Sequence, residues 1–217
     1  MSPNTCFIVV GINDMFNDAD AVQKIKKKLP ELFAIAESEA SRGGKIGMEI
    51  GSVRERILIS LLRCYFGKKN VDDDIPITGK ETDVILSNSP ISIKTKTGTT
   101  SGIKIVWTVD WDKIKKFVDS YNPSMDMLLA QIVWGMEKGG LFFIPLKVQK
   151  TVFKQLGRES YFTIPRRGTN PRGVMYSKIA MEQMLRNDDT ISIKINWVKP
   201  KRKIDIYKKW DEYWEMN

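Results

Sequence analysis

The spacing of hydrophobic residues along the 217-residue chain alternates between helical and strand-like periods. Apolar residues three or four positions apart predict helices, whereas alternation and short apolar runs predict strands. Helical spacing covers 18–29 and 30–41, and Pro30 lies where a first helical turn tolerates proline. The strongest helical stripe ends at Gly67 and carries six apolar residues: Val53, Ile57, Leu58, Leu61, Leu62 and Tyr65. Four further helices are predicted, at 110–121, 123–134, 148–157 and 177–186.

Strand-like segments lie between these helices, and their order bears on the class of fold. They are predicted at 6–12, 103–109, 140–146, 160–165 and 190–198, with a hairpin over 81–96. Strands interleaved with helices on this scale are typical of layered domains in which helices cover a sheet. The sequence therefore predicts one α/β domain over 1–217, with a mixed central β-sheet flanked by helices.

Composition narrows the chemistry that such a domain can perform. The chain contains no histidine, which excludes Ser-His-Asp and Cys-His catalysis, histidine-bound zinc and nucleases with a histidine base. Its two cysteines, Cys6 and Cys64, are too few for a disulfide framework or a four-cysteine zinc site, and we expect buried free thiols. Hydrolysis by this chain must therefore use carboxylates, lysine and a hard metal ion bound by oxygen.

Charge indicates the partner, and hydropathy indicates the compartment. The 35 lysines and arginines outnumber 26 acidic residues, which gives a net charge of +9 and a pI near 9.4. Such an excess of positive charge favours a polyanion, most simply nucleic acid. No apolar run approaches the length that spans a bilayer, and the first residues lack the basic region of a signal peptide. We therefore expect a cytoplasmic protein without a membrane partner.

The stretch ETDVILSNSPISIKTK, residues 81–96, places an acid and two lysines on one side of a predicted hairpin. A two-residue turn at Asn88 and Ser89 puts Asp83 directly opposite Lys94. Side chains alternate along strands, so the other side of the hairpin is apolar. An ordinary cross-strand ion pair is the alternative interpretation of the acid and the lysine.

An acid and a lysine on adjacent strands can also serve in phosphodiester hydrolysis. The carboxylate holds Mg²⁺ against the scissile phosphate, and the lysine orients or deprotonates the attacking water. A second oxygen ligand is usual, yet the position two residues before Lys94 is Ser92. Glu55 can fill this gap, because it lies on the side of its helix that carries Leu58 and Leu62.

Alternatives remain open for this second acid. SVRE, residues 52–55, has the Ser-x-x-Glu spacing of a capping box, so Glu55 can instead satisfy backbone amides at a helix start. Glu49, on the neighbouring loop, is a less favoured substitute. The residue pattern alone does not choose between the cap and the metal ligand.

An acid on one strand, a lysine on the next and an acid on a preceding helix resemble the active site of the PD-(D/E)XK nuclease superfamily. The segments GGKIGMEIGSVRERILISLL and ETDVILSNSPISIKTKTG resemble a family of type II restriction endonucleases in this superfamily. The resemblance covers essentially the whole chain, although Thr82 and Ser92 replace the proline and the second acid of the short motif. It implies catalytic roles for Glu55, Asp83 and Lys94.

The resemblance also implies a reaction and its partners. It implies Mg²⁺-dependent cleavage of double-stranded DNA by a homodimer, at the palindrome CGCG, with blunt ends. In-line attack by water leaves 5′-phosphates. Asp83 and Glu55 would bind the metal, and the main-chain carbonyl of Ile93 would complete its shell, with one metal ion favoured.

Two groups of basic and polar residues are candidates for DNA contact. The loop RRGTNPRG contains Arg166, Arg167 and Arg172, which can read guanine through paired hydrogen bonds or can contact phosphates without reading sequence. Lys96 and Thr97, just past the predicted site, can hold the DNA backbone in place for attack.

The glycine-rich loop at 41–47 supplies Lys45 as a further basic contact and leads directly into Met48. Unbranched methionine is a usable apolar wedge, and CG steps are comparatively easy to unstack. The resemblance supports such a role for Met48. A buried methionine at a helix start is the alternative.

Two other functions remain compatible with the residues. A non-catalytic DNA-binding protein would use Asp83 and Lys94 only as an ion pair, and a repair nuclease of the same superfamily would cut by DNA structure instead of sequence. A palindromic target favours a two-fold symmetric dimer. Aromatic residues near the C-terminus belong either to an interface or to the core: Trp197, Trp210, Tyr213 and Trp214.

Overall fold

The computed structural model describes residues 11–42, 48–75, 81–99, 102–106, 108, 110–166 and 173–200. Six α-helices occupy these ranges: α1 (Ile12–Asn17), α2 (Ala19–Arg42), α3 (Met48–Phe66), α4 (Trp111–Ser120), α5 (Leu146–Tyr161) and α6 (Lys178–Arg186). Nine strands occupy the same ranges: β1 (Val71–Asp72), β2 (Val84–Leu86), β3 (Ser89–Thr97), β4 (Lys104–Val106), β5 (Asp126–Ile132), β6 (Gly140–Ile144), β7 (Phe162–Thr163), β8 (Val174–Tyr176) and β9 (Ile191–Lys194).

The strands form a central sheet and a small second sheet. The six-stranded sheet has the order β1-β2-β3-β5-β6-β9, in which β3 and β5 are parallel and the other neighbours are antiparallel. The three-stranded sheet, β4-β8-β7, is antiparallel. This architecture confirms the predicted α/β class with a mixed central sheet flanked by helices.

Both faces of the central sheet are covered by helices. In β5, Leu128 faces the core formed with α1, α2 and α3, while Met127 and Leu129 face the core formed with α4, α5 and α6. Ser92 pairs with Met127 and Lys94 pairs with Leu129 across β3 and β5. Paired residues share a face of a sheet, so both polar side chains lie on the α4–α6 face.

The central strand β5 corrects the helix that the sequence predicts at 123–134. Residues Asp126–Ile132 form a strand that pairs with β3 on one side and β6 on the other. A strand covered on both faces is apolar at successive positions, so it lacks the alternation that identifies most strands. The apolar run therefore has no periodicity that separates it from a buried helix.

Two predicted helix boundaries are also wrong. The segments 18–29 and 30–41 form the single helix α2, with Pro30 inside it. Proline in a helix interior removes one backbone hydrogen bond, and the flanking core residues Leu29 and Phe33 pack there to stabilise the helix. Because α3 begins at Met48, Glu55 lies well inside the helix, and the capping interpretation of this residue is wrong.

The β2–β3 hairpin has a different register from the predicted one. Leu86 pairs with Ser89 around a turn of Ser87 and Asn88. Both turn residues have positive φ, 48° and 72°, as a type I′ turn requires, whereas the prediction placed the turn one residue later.

Pro90 explains the observed register. In the predicted register it would close the turn opposite Ser87 and would have to donate a main-chain hydrogen bond, for which proline has no N–H. In the observed register Pro90 pairs with Ile85, one position beyond the pair that closes the turn, where the partners exchange no hydrogen bonds.

The corrected register changes which polar residues meet. Continued by one residue beyond Val84, it places Asp83 across from Ser92, whose hydroxyl donates to the Asp83 carboxylate. The partner of every residue moves by two positions, so each side chain stays on its predicted face. Asp83 therefore reaches Lys94 diagonally and not directly across the hairpin.

Several smaller expectations concern exposure. None of the described helices is long and apolar enough to cross a lipid bilayer. Cys64 is exposed, so its predicted burial is wrong, and Cys6 lies outside the described residues. Trp197 is fully buried and stacks on Phe33, so it belongs to the core. The other tail aromatics lie outside the described residues: Trp210, Tyr213 and Trp214.

Candidate active site

The polar residues of the hairpin lie beside a notch at the edge of β3. The pairing between β2 and β3 stops at Val84 and Ile91, so 92–97 of β3 have no strand partner on that side among the described residues. Where a neighbouring strand is missing, side chains from both faces of a sheet can approach the same backbone edge.

Asp83 replaces strand pairing in this notch with side-chain contacts. Its Oδ2 accepts a hydrogen bond from the main-chain N–H of Ile93 at 2.6 Å and another from the hydroxyl of Ser92 at 3.2 Å. The Lys94 ammonium lies 3.4 Å from the same oxygen. None of these three contacts uses Oδ1.

Ser92, which stands where the short motif has a second acid, supports the first acid instead. Its side chain is buried on the α4–α6 face, and its hydroxyl donates to the Asp83 carboxylate. The residue that replaces the expected acid thus fixes the orientation of Asp83.

The main-chain carbonyl of Ile93 also opens toward the notch. In a β-strand, the N–H and C=O of one residue point to the same side. The N–H of Ile93 donates to Asp83, so its carbonyl points toward the same gap. An oxygen in this position can join a carboxylate around one metal ion.

Helix α3, on the other face of the sheet, brings Glu55 to the same notch. Burial raises the pKa of Glu55, and the negative charge of Asp83 raises it further, whereas Lys94 and Arg56 lower it. Charges shift a pKa in this way only at short range. Lys94 contacts Asp83, and the charges of both act on Glu55, so the three residues lie in one region, while their catalytic roles stay a prediction.

Glu81 is a fourth charged residue at the notch, and the sequence analysis missed it. Burial raises the pKa of Glu81 to about 7, against the attraction of Lys94 and with the repulsion of Asp83. Its Oε1 is buried and accepts no hydrogen bond from any residue in the described part of the chain. Glu81 lies two residues before Asp83, in a bend that precedes β2 and beyond the last β2–β3 pair, so strand alternation did not point to it.

The donor set at the notch fits a hard divalent cation. Glu55 and Asp83 repel each other, and Asp83 Oδ1 and the Ile93 carbonyl are oxygen donors of the kind that Mg²⁺ prefers. Within the described ranges, no three histidine, cysteine or acidic side chains are grouped as metal ligands. The fit therefore rests on two carboxylates and one main-chain carbonyl.

A second buried charge network fastens α3 to the sheet next to this notch. Arg54 is 6% exposed and pairs with Glu37 of α2, and its Nη1 donates to the hydroxyl of Thr97 at 3.0 Å. Glu37 also accepts from Trp134 Nε1 at 2.7 Å and contacts the Lys199 ammonium at 2.9 Å. Glu55 follows Arg54 directly, so this network holds its stretch of α3 against the end of β3.

Two of the predicted DNA contacts, Lys96 and Thr97, lie at the same end of β3. Lys96 is half-buried, and burial lowers its pKa, which Glu182 raises and Lys178 lowers further. Thr97 is exposed, although its hydroxyl is engaged by Arg54.

Of the other predicted DNA contacts, some lie within the described residues and some do not. Arg166 is exposed after β7, and α3 begins at Met48. The remaining three candidates lie outside the described residues: Lys45, Arg167 and Arg172.

Comparison with known proteins identifies the family. The family described as Restriction endonuclease ThaI matches residues 15–216. The chain belongs to the ThaI restriction endonuclease family. Membership in this family confirms the predicted enzyme class, a site-specific deoxyribonuclease, and the predicted resemblance to restriction endonucleases.

A solved structure supports the same assignment to the ThaI restriction endonuclease family. A restriction endonuclease in complex with substrate DNA superposes with a TM-score of 0.84 at 43% sequence identity. The match covers 94% of this chain and 99% of that chain. The comparison with curated proteins found no match.

Proposed function

We propose that this restriction endonuclease is a type II enzyme that uses Mg²⁺ to hydrolyse double-stranded DNA at the palindrome CGCG, leaving blunt ends with 5′-phosphates. The observation that carries the proposal is the meeting of Asp83, Lys94 and Glu55 at one notch. The similar restriction endonuclease that is bound to substrate DNA supports double-stranded DNA as the partner. The recognition sequence and the blunt ends rest on the resemblance of the segments around Glu55 and Asp83.

The residues of the notch divide the work of hydrolysis. Asp83, Glu55 and the carbonyl of Ile93 would hold Mg²⁺, which supplies a Lewis acid for the scissile phosphate and lowers the pKa of bound water. Lys94 orients the attacking water and offsets the negative charge that develops on the phosphate. Ser92 and the N–H of Ile93 keep the Asp83 carboxylate in place.

The DNA contacts would surround the notch. We propose that Lys96, Thr97 and Lys45 contact phosphates. Guanidinium groups suit a target made only of G·C pairs, because each can make two hydrogen bonds to guanine O6 and N7. The residues proposed for this reading are Arg166, Arg167 and Arg172.

A palindromic target requires two active sites related by a two-fold axis, so we propose a homodimer with one notch per DNA strand. The net charge of +9 assists the encounter with DNA at low ionic strength.

Plasmid cleavage with Mg²⁺ tests the proposal, and the chain supplies a matched control. Lys94 and Lys194 each end a copy of the tetrapeptide ISIK, but Lys194 lies in β9 and is exposed, away from the hairpin. Lys94→Ala should abolish cleavage, and Lys194→Ala should cut as the wild type does. Equal activity of both variants would contradict the assignment of Lys94.

Mapping the ends on sequenced DNA tests the target and the stagger. Discrete fragments with blunt 5′-phosphate ends at CGCG are expected. Cuts that follow DNA structure and not sequence would favour a repair nuclease. The number of protomers bound to a CGCG duplex with Ca²⁺, measured by analytical ultracentrifugation, tests the dimer.

The position of Met48 at the start of α3 supports a wedge that enters the base stack from the minor groove. Met48→Ala should impair cleavage and leave the fold intact. Met136→Ala, at a methionine that is 53% exposed in the turn between β5 and β6, is the control and should have no effect. Undiminished cleavage and DNA affinity in Met48→Ala would contradict the wedge.

A further inference from the structure

We propose that Arg54 is a positioning residue, which through its hydrogen bond to Thr97 fixes the rotation of α3 and so holds Glu55 toward the notch. This inference rests on the proposed function of Glu55 as a metal ligand. It differs from a role in folding alone, because the hydrogen bond can be removed while the buried ion pair of Arg54 stays.

The guanidinium of Arg54 has two directional contacts, one on each of its terminal nitrogens. Nη1 donates to the hydroxyl of Thr97 at 3.0 Å, and Nη2 pairs with the carboxylate of Glu37. Arg54 is 6% exposed, and its guanidinium carbon lies 5.6 Å from the centre of the Phe33 ring. Its Nε is buried without a partner among the described residues. The planar fork of a guanidinium fixes the directions of both contacts, so Arg54 orients α3 between α2 and β3.

Thr97 is a fixed point, because the end of β3 is bonded to β5. Thr97 pairs with Ile132, and the N–H of Gly98 donates to the Ile132 carbonyl at 2.7 Å. Gln131 Nε2 donates to the carbonyl of Gly98 at 3.1 Å. Side chains alternate along β3, so Thr97 lies on the same face as Ile93, which belongs to the core formed with α3. The bond to Arg54 therefore ties α3 to the central sheet.

Apolar packing alone leaves the rotation of α3 loosely defined. Leu58 and Leu62 share a core with Ile93, and such contacts have no preferred direction. A side-chain tip lies roughly 5–6 Å from the axis of its helix, so a rotation by about 10° moves it by about 1 Å. Glu55 follows Arg54 directly, so a bond that fixes Arg54 also limits movement of the Glu55 carboxylate.

Stability alone does not require a charge at this position of α3. Replacing a buried ion pair by apolar residues is often neutral or stabilising. A hydrogen bond to Thr97 needs a donor of defined direction, which an apolar side chain lacks. The proposed phosphate contact of Thr97 is compatible with this bond, because a hydroxyl can accept and donate at the same time.

The test uses Thr97→Val, which keeps the branched shape of the side chain and removes the acceptor for Arg54. Single-turnover cleavage with saturating enzyme should slow about 10- to 100-fold, because misplacing a catalytic group by about 1 Å costs rates of this order. The half-maximal rate should need about tenfold more Mg²⁺, since residues that support a metal ligand affect metal affinity to this extent. Thr97→Ser keeps the hydroxyl and should restore most of the rate. Thr151→Val, at an exposed threonine of α5, is the matched control and should cut normally.

DNA binding gives a readout that does not depend on cleavage. Fluorescence anisotropy measures the affinity for a CGCG duplex with Ca²⁺ and with EDTA, and the ratio reports how far the metal site strengthens binding. A misplaced Glu55 lowers this ratio, whereas loss of a phosphate contact lowers both affinities by the same factor. Thr97→Val should therefore lower the ratio toward that of Glu55→Gln. In a Glu55→Gln background it should lower the ratio no further, because its target is absent.

Two results would overturn the inference. One is wild-type cleavage by Thr97→Val, and the other is an equal loss of affinity with Ca²⁺ and with EDTA, which would show a phosphate contact only. A wild-type protein that fails to cut DNA with Mg²⁺ would contradict the proposed function instead, which is a distinguishable outcome. If Thr97→Val does not fold, Arg54→Lys carries the same measurements, because lysine keeps the charge beside Glu37 and lacks the planar fork that also reaches Thr97.

Discussion

The two charge networks beside β3 have opposite balances of charge. The network around Arg54 has one carboxylate, Glu37, which contacts the cations of Arg54 and Lys199 as well as an indole N–H. Among the described residues, the notch has three carboxylates, those of Glu55, Asp83 and Glu81, and one ammonium, that of Lys94, which contacts Asp83.

This difference separates a structural role from a chemical one. In the Arg54 network two cations compensate the Glu37 carboxylate, although Arg54 Nε is buried without a hydrogen-bond partner among the described residues. In the notch, burial raises the pKa of two acids, Glu55 and Glu81, and repulsion from Asp83 raises both further, while Glu81 Oε1 has no donor among the described residues. The acids of the notch outnumber its one ammonium, so ionising them leaves negative charge that a divalent cation can neutralise. Variants of both networks test this contrast.

The largest effect is expected from Asp83→Asn. The carboxamide loses the negative charge that would bind Mg²⁺, so cleavage should fall by about 10³-fold or more, as for removal of a group central to an electrostatic active site. The thermal stability of the metal-free protein should change little or rise, since one repelling charge is gone. The measurement is single-turnover cleavage beside a thermal melt, and activity near the wild-type level would contradict the metal site.

Glu37→Gln should have the opposite effects: stability should fall, and cleavage should change little. It leaves the Arg54 guanidinium buried without an anion among its described partners, which costs about 3 kcal/mol of unfolding free energy for a buried pair. The control is Asp73→Asn, which breaks the half-exposed pair with Arg63 and should cost about 1 kcal/mol or less. Urea denaturation measures both, and equal losses would show that burial does not distinguish the two pairs.

The stability of the protein should depend on pH through Glu81, whose pKa is raised by burial. Unfolded Glu81 has its ordinary pKa of 4.5, and folding raises it to about 7. Both states are protonated below the lower value, and the unfolded state ionises first as pH rises. As the pH rises between these two values, the free energy of unfolding therefore falls, by on the order of 1–3 kcal/mol for a partly buried group.

Metal-free wild-type protein should thus lose stability relative to Glu81→Gln as the pH rises from 4.5 to 7. Urea denaturation at intervals across this range measures the difference. A constant difference between the two proteins would contradict the burial of Glu81.

The smallest effect is expected from Ser92→Ala. The hydroxyl donates one of three contacts to Asp83 Oδ2, so its loss should cost about 1 kcal/mol and less than about tenfold in cleavage rate. Ser92→Asp, which restores the acid of the short motif, should place a further negative charge in the notch and lower the stability of the metal-free protein. An unchanged melt in Ser92→Asp would show that the notch tolerates more negative charge than its pKa shifts indicate.

Much of the active site was predictable because its residues are close in sequence or belong to a periodic helix. Asp83 and Lys94 share one hairpin, and alternation placed them on the correct face even though the register was wrong. Glu55 followed from its spacing to Leu58, since one side of α3 packs on the sheet. The register itself was readable from Pro90, which lacks the N–H that the predicted turn needed.

Other features of the fold could not be predicted from the periodicity of the sequence. β5 lies between two strands and beneath helices on both faces, so its sequence carries no alternation. The Arg54 network joins Glu37, Thr97 and Trp134, which are distant in sequence and have no common motif.

The sequence by itself determined the chemistry that this protein can perform. Without histidine and with an excess of lysine and arginine, the chain is restricted to carboxylates, lysine and a hard metal acting on a polyanion. Side-chain alternation and helical spacing are local properties, so they also fixed the faces on which Asp83, Lys94 and Glu55 lie. Only the tertiary structure decided where β2 ends and what enters the gap. Burial and charge repulsion depend on neighbours that lie far away in the sequence, and for that reason the exceptional state of Glu81 appears only in the folded chain.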